Sequence, residues 1–297
     1  MVSEFYSRGF KEELLSDIFG WSTFLNGLIA ILSGVVANFL VDLFGRGSLG
    51  YVMPFMASIV VLVFSFLVVF FTWKENYGQG STNSTKQSGS NIWNAISEIR
   101  NDRKTFAVGV MQCCFESAMY TFVFMWSPAL EKIASEKTSI PFGLVFASFM
   151  VSIMIGSLFF RILSNHHSNE NIARMAFALS TVSFMMCIVN IKTEFLLFFW
   201  FNVFECSCGI YFPSVGTMRG KYVKEETRAT VMNVFRVPLN LIVVVSLLKV
   251  DSMAFSSVFL ICACSNIIGF ACSHAMVSMA GNGSKAVPTA GQDEYEI

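Results

Sequence analysis

The chain has 297 residues, of which 54% are hydrophobic and 13% charged, with 20 basic and 20 acidic side chains. A mean hydropathy of +0.60 excludes the soluble globular, disordered and nucleic-acid-binding classes, because so few charges cannot coat a 33.1 kDa particle in water. The 32 Phe and 16 Met against 6 Pro describe a lipid-facing helical protein rather than a barrel of alternating faces.

Residues 1–17 carry Glu4, Arg8, Lys11, Glu12, Glu13 and Asp17, and lack the basic-then-apolar order of a signal peptide. A membrane-crossing helix needs about 20 mostly apolar residues. Eight runs meet that length: 18–41, 51–73, 106–126, 140–163, 172–189, 195–215, 229–248 and 253–275. Asn26 and Asn38 punctuate the first, and Asn233, Arg236 and Pro238 the seventh. Residues 74–91 are rich in Gly, Ser, Asn and Gln and read as a flexible linker. Beyond it, Ile92, Ile96, Ile99 and Arg103 share one helical face beside Trp93, which predicts a short amphipathic helix on the inner membrane surface. The chain is thus expected to divide into two spans (1–73), a cytoplasmic linker with its amphipathic helix (74–104), a six-helix bundle (105–277) and a disordered polar tail (278–297).

The basic residues orient these spans. With the N-terminus in the cytoplasm, internal segments and span ends hold 14 Lys and Arg against 5 outside, leaving Arg236 within a span. An even number of spans then places both termini in the cytoplasm. The sequons at Asn83 and Asn282 fall on that side and are expected to be chance matches. All eight cysteines lie in apolar runs without a Cys-x-x-Cys pair, so free, buried thiols are expected. No phosphate loop, zinc-protease or nucleophile-elbow motif occurs, and neither a metal nor a cofactor is expected.

Ionisable residues inside spans are costly and face a cavity or a partner. Glu116, Glu205 and Arg236 fall in the third, sixth and seventh runs. One reading is a shared polar pathway, in which Arg236 faces an anion and a glutamate carries a proton. The other is internal ion pairing that locks the bundle. Asn233 and Asn240, at i−3 and i+4 from Arg236, fall on its face. Pro238 is expected to break the helix there and free backbone groups, for an anion contact or merely a structural kink. Ser148, Ser152 and Gly156 form a small-residue stripe that allows close helix packing.

Several motifs then occur in order: Trp73-Lys74-Glu75-Asn76-Tyr77; Phe115-Glu116-Ser117 followed by Phe122 through Leu130; Ser148-Phe149-Met150 leading to Gly156 and Arg161; Gly209-Ile210-Tyr211-Phe212-Pro213-Ser214; and Asn233-Val234-Phe235-Arg236-Val237-Pro238-Leu239. In order and spacing they resemble the molybdate-anion transporter family of the major facilitator superfamily. That resemblance implies an all-α polytopic membrane protein of twelve helices in two halves, with a substrate cavity at the midplane. The first run here would match the family's fifth helix, giving eight of the twelve, with four preceding Met1. Glu116, Glu205 and Arg236 would lie on its seventh, tenth and eleventh helices, at the cavity, with Tyr211 among the substrate contacts. Gly156 and Arg161 would form a degenerate cytoplasmic gating motif. Arg219, Lys221 and Arg228 would pair with Glu225 or Glu226 as a gate, or form a solvated basic loop. The implied function is secondary active transport of an oxyanion, molybdate, across the cell membrane by alternating access, with protons coupled through Glu116 or Glu205. The alternatives are transport of an organic anion or a sugar, or a non-transporting short form acting as a membrane interaction protein.

Overall fold

The computed structural model describes residues 12–45, 48–73, 88–133, 140, 142–190, 192–248 and 253–284, with residues 5 and 9. Among them every extended element is an α-helix: α1 (Glu12–Phe44), α2 (Ser48–Thr72), α3 (Ser88–Asn101), α4 (Arg103–Ile133), α5 (Phe142–Ser164), α6 (Asn169–Val189), α7 (Glu194–Tyr222), α8 (Glu225–Leu248) and α9 (Phe255–Ser284). All except α3 are long and apolar enough to cross a membrane, so this is a multi-pass membrane protein. Each overlaps one of the eight expected runs to within two residues at its shorter end, and most extend beyond it at the other, because a helix continues past its apolar stretch until its end groups find partners. Of the expected flexible linker (74–91) and disordered tail (278–297), residues 74–87 and those beyond 284 lie outside the described residues, whereas 88–91 begin α3 and 278–284 end α9.

Local chemistry sets several of these ends. Ser168 Oγ accepts from the Asn171 N–H, 3.4 Å away, and caps α6. Asp102 separates α3 from α4, its carboxylate accepting from the Lys104 N–H at 2.9 Å and the Thr105 hydroxyl at 2.7 Å. The Arg228 guanidinium donates to the carbonyls of Gly220 and Val223, at 3.1 and 3.0 Å, which meets the unpaired acceptors at the end of α7.

In a bilayer, helices gain little from leaving lipid for one another, so association rests on close packing and hydrogen bonds. The centre of α4–α9 is a stack of aromatic rings. The Phe115 and Tyr211 rings lie parallel with centroids 3.8 Å apart. Phe122 contacts Phe149, Phe184, Phe201 and Phe204. Around this core, α9 packs on α6 and α4, and α7 on α6 and α5. By contrast, α8 packs chiefly on α4, and α3 lies against α8 and α4. The amphipathic helix is therefore docked on two spans, with Ala95 buried beneath it.

The expected small-residue stripe is a backbone contact between α5 and α7. A Cβ on Gly156 would stand 2.0 Å from the Cys206 carbonyl oxygen, and one on Gly209 2.1 Å from that of Ile153. Beside them Ser152 Oγ donates to Asn202 Oδ1 at 2.9 Å. On the other side of the bundle, α1 packs on α5 and α7, and α2 chiefly on α1. No residue in the apolar window of α2 is buried. Gly45, at a φ of 85°, ends α1 in the left-handed region that only glycine adopts freely.

Candidate functional site

The cavity between α4 and α8 gathers the polar groups of both helices. Glu116, Tyr120 and Phe124 lie one turn apart along α4, and Arg236, Leu239, Asn240 and Val243 form the facing stripe of α8. Together they line an open cleft of about 420 Å³, at which Arg236 and Asn240 are exposed. Arg236 Nη1 donates to Asn233 Oδ1 at 3.4 Å, so Asn233 steadies the guanidinium while Asn240 lines the cavity. Among the described residues Arg236 makes no close ion pair.

Behind the cavity stands a residue that the sequence reading missed. Gln112, buried one turn before Glu116, donates through Nε2 to Glu116 Oε2 at 3.3 Å. Its carbonyl Oε1 accepts from Arg219 Nη1 at 3.5 Å. Arg219 and Arg236 both lie within electrostatic reach of Glu116. Two guanidinium groups around one carboxylate leave this region with one excess positive charge, a field that favours an anion. The signal that could have found Gln112 is a second polar residue in an apolar run, at helical spacing from Glu116.

The structure brings Glu116, Arg236, Asn233 and Asn240 together, but it does not bring Glu205 to them. Glu205 is buried on α7 beside the Cys208 thiol and does not line the cavity. Gly209, one turn further along the same stripe, faces the α5 backbone, so that stripe is turned towards α5. A single cavity shared by all three charged residues is thus corrected to one shared by two. Tyr211 also lies outside the lining, stacked on Phe115, and its hydroxyl is buried without a hydrogen-bond partner among the described residues. The expected helix break at Pro238 is corrected too. α8 runs unbroken through it, and the missing N–H removes only the bond to the Val234 carbonyl.

The residues assigned to gating take different places. Gly156 forms the α5–α7 contact already described. Arg161 lies in the last turn of α5, its guanidinium 4.4 Å from the Trp21 ring centroid and 3.8 Å from Asp17 Oδ1, so it ties α5 to α1. Arg219 lies within α7 and reaches inward to Gln112 rather than standing in a solvated loop. Arg228 caps α7, and Lys221 sits over the Tyr222 ring. Nearby, Tyr222 donates to Glu170 at 2.5 Å and Ser16 Oγ donates to Thr217 Oγ1 at 3.4 Å, further joining these helix ends. The eight cysteines are free, and five of them are buried. Among the described residues no group of His, Cys, Asp and Glu side chains is placed to hold a metal.

Two family models match this arrangement of helices. One, described as sugar transporters with 12 TM, covers residues 1–198, and the Major Facilitator Superfamily model covers residues 131–279. The chain belongs to the major facilitator superfamily. Among curated proteins this superfamily member is 30% identical over 289 residues to the molybdate-anion transporter of Xenopus tropicalis, covering 93% of the chain and 61% of the relative. It is 29% identical to that of Xenopus laevis over the same shares, and 29% identical to that of Danio rerio over 267 residues. The chain spans about three fifths of the length of the Xenopus relatives it matches. The resemblance read from the ordered motifs is borne out.

Proposed function

We propose that this chain carries the anion-binding wall of a secondary active transporter, and that the anion is an oxyanion of the molybdate class. The observation that carries the reading is Arg236, a guanidinium without a close acidic partner, lining a cavity whose nearest carboxylate, Glu116, is already held by Gln112. A planar fork of donors matches an oxyanion and keeps its charge at any physiological pH. The relatives named molybdate-anion transporter support this choice of substrate. In this reading Glu116 accepts or releases the coupled proton, Asn233 and Asn240 orient the anion, and alternating access moves the bundle around it. Residues 1–73 belong to the first half of the fold, 74–104 to the linker and 105–277 to the second half. In this reading both termini lie in the cytoplasm, which the excess of basic residues on that side supports, and the protein belongs to the cell membrane.

The description of the first matching family favours a second reading, in which the solute is a sugar and Asn240 and Tyr120 supply its hydrogen bonds. Uptake of radiolabelled molybdate into cells expressing the chain separates the two. Competition by tungstate and sulfate but not by hexoses, together with loss of uptake in Arg236→Ala, is the expected result. Undiminished uptake in Arg236→Ala would sink the site assignment, and competition by hexoses alone would favour the sugar.

A further inference from the structure

A second hollow, of about 470 Å³, lies where α3 meets α4 and is lined by Ile96, Ile99, Arg100, Arg103 and Phe106. Its chemistry is divided. Ile96, Ile99 and Phe106 make an apolar floor, and Phe106 is the exposed apolar side chain at the start of α4. Arg100 and Arg103 stand on either side of the Asp102 break and bring two guanidinium groups to the mouth. The nearby acids are engaged elsewhere. Asp102 accepts from Lys104 and Thr105, and Glu98 accepts from the Lys224 N–H and the Thr227 hydroxyl on α8. Among the described residues neither Arg100 nor Arg103 has a hydrogen bond or an ion pair. Next to them Ile92 is 52% and Trp93 72% exposed, so α3 presents apolar side chains outward from the same helix.

We propose that this hollow is a site for one anionic phospholipid of the leaflet on which α3 lies. The phosphodiester sits between Arg100 and Arg103, and an acyl chain follows Ile96, Ile99 and Phe106 down the side of α4. Charge complementarity selects the headgroup: two unneutralised guanidinium groups favour a net negative lipid and disfavour a choline beside the phosphate. Trp93 belongs at the headgroup boundary, where an indole has both apolar and polar surroundings. The bound lipid would join α3 to α4 and, through Glu98 and Thr227, to the start of α8, the helix that carries Arg236. The site does not depend on which solute is transported.

The test is native mass spectrometry of the purified full chain, released from nanodiscs holding equal phosphatidylglycerol and phosphatidylcholine. At about a thirtyfold preference from the two arginines together, one phosphatidylglycerol should remain bound after phosphatidylcholine is stripped. R100Q/R103Q should remove that preference, and R100Q and R103Q should each weaken it should the double variant fail to fold. R174Q, a basic residue elsewhere on the bundle, should leave it intact. Inorganic phosphate added in excess should not displace the lipid, because the apolar floor contributes to binding. Equal retention of the two lipids by the unaltered chain, an undiminished preference in the arginine variants, or full displacement by phosphate alone would each overturn the proposal.

Discussion

Gly156→Ala tests whether the glycine on α5 is a packing residue or part of a gate. The new Cβ would lie 2.0 Å from the Cys206 carbonyl oxygen and 3.0 Å from Gly209 Cα. Ordinary contact begins at 3.4 Å, so the two backbones must part by about 1.4 Å. No flexible side-chain end is there to yield. Overpacking then costs about 3 kcal/mol, the upper end of the usual range, and the better helix propensity of alanine returns about 1 kcal/mol. The net loss of about 2 kcal/mol corresponds to a fall in Tm of roughly 4–8 °C for a chain of this size. Gly34→Ala is the matched control. It lies in α1 with nothing within 4 Å of its added Cβ, and it should melt at or slightly above the unaltered protein. The assay is thermal unfolding in one detergent, followed by intrinsic fluorescence, with solute uptake measured in parallel. A Gly156→Ala protein that melts like the unaltered chain but loses uptake would refute the packing argument and restore the gating role.

Three further outcomes follow from the side-chain contacts. Gln112→Leu leaves Glu116 and Arg219 without their shared amide and should destabilise by about 1–3 kcal/mol, read as a lowered Tm. Glu98→Ala removes the acceptor for Lys224 N–H and the Thr227 hydroxyl, so hydrogen exchange should quicken over the first turn of α8 while the aromatic core stays protected. A double-mutant cycle of Trp21→Ala and Arg161→Ala should show a coupling of about 0.5–1 kcal/mol in thermal unfolding, and zero coupling would mean that the stacked pair does not hold α1 to α5.

The helices were legible because a membrane imposes one rule, twenty apolar residues per crossing, and each run obeyed it. Arg236, Asn233 and Asn240 were legible as a group because helical spacing alone puts them on one face. Glu116 could be nominated by its cost in lipid, but the helix opposite it could not. The separation of Glu205 from the cavity was hidden for the same reason: which way α7 is rotated depends on Gly156 and Gly209 meeting backbone to backbone, a contact between residues 53 positions apart. Arg219 looked like a loop charge because it precedes a basic segment, yet its long stem reaches inward to Gln112. Pro238 misled because proline's disruption is local. One lost hydrogen bond does not end a helix whose lipid-facing and packed sides are both satisfied.

The apolar side chains along α2, none of them buried within its apolar window, are matched in length to a bilayer. The apolar stretch of this helix, Val52–Thr72, is 21 residues long and forms a rod of roughly 32 Å, close to the hydrocarbon core of a bilayer at about 30 Å. Its two ends, at Val52 and Thr72, therefore reach the polar boundaries on either side without a large tilt.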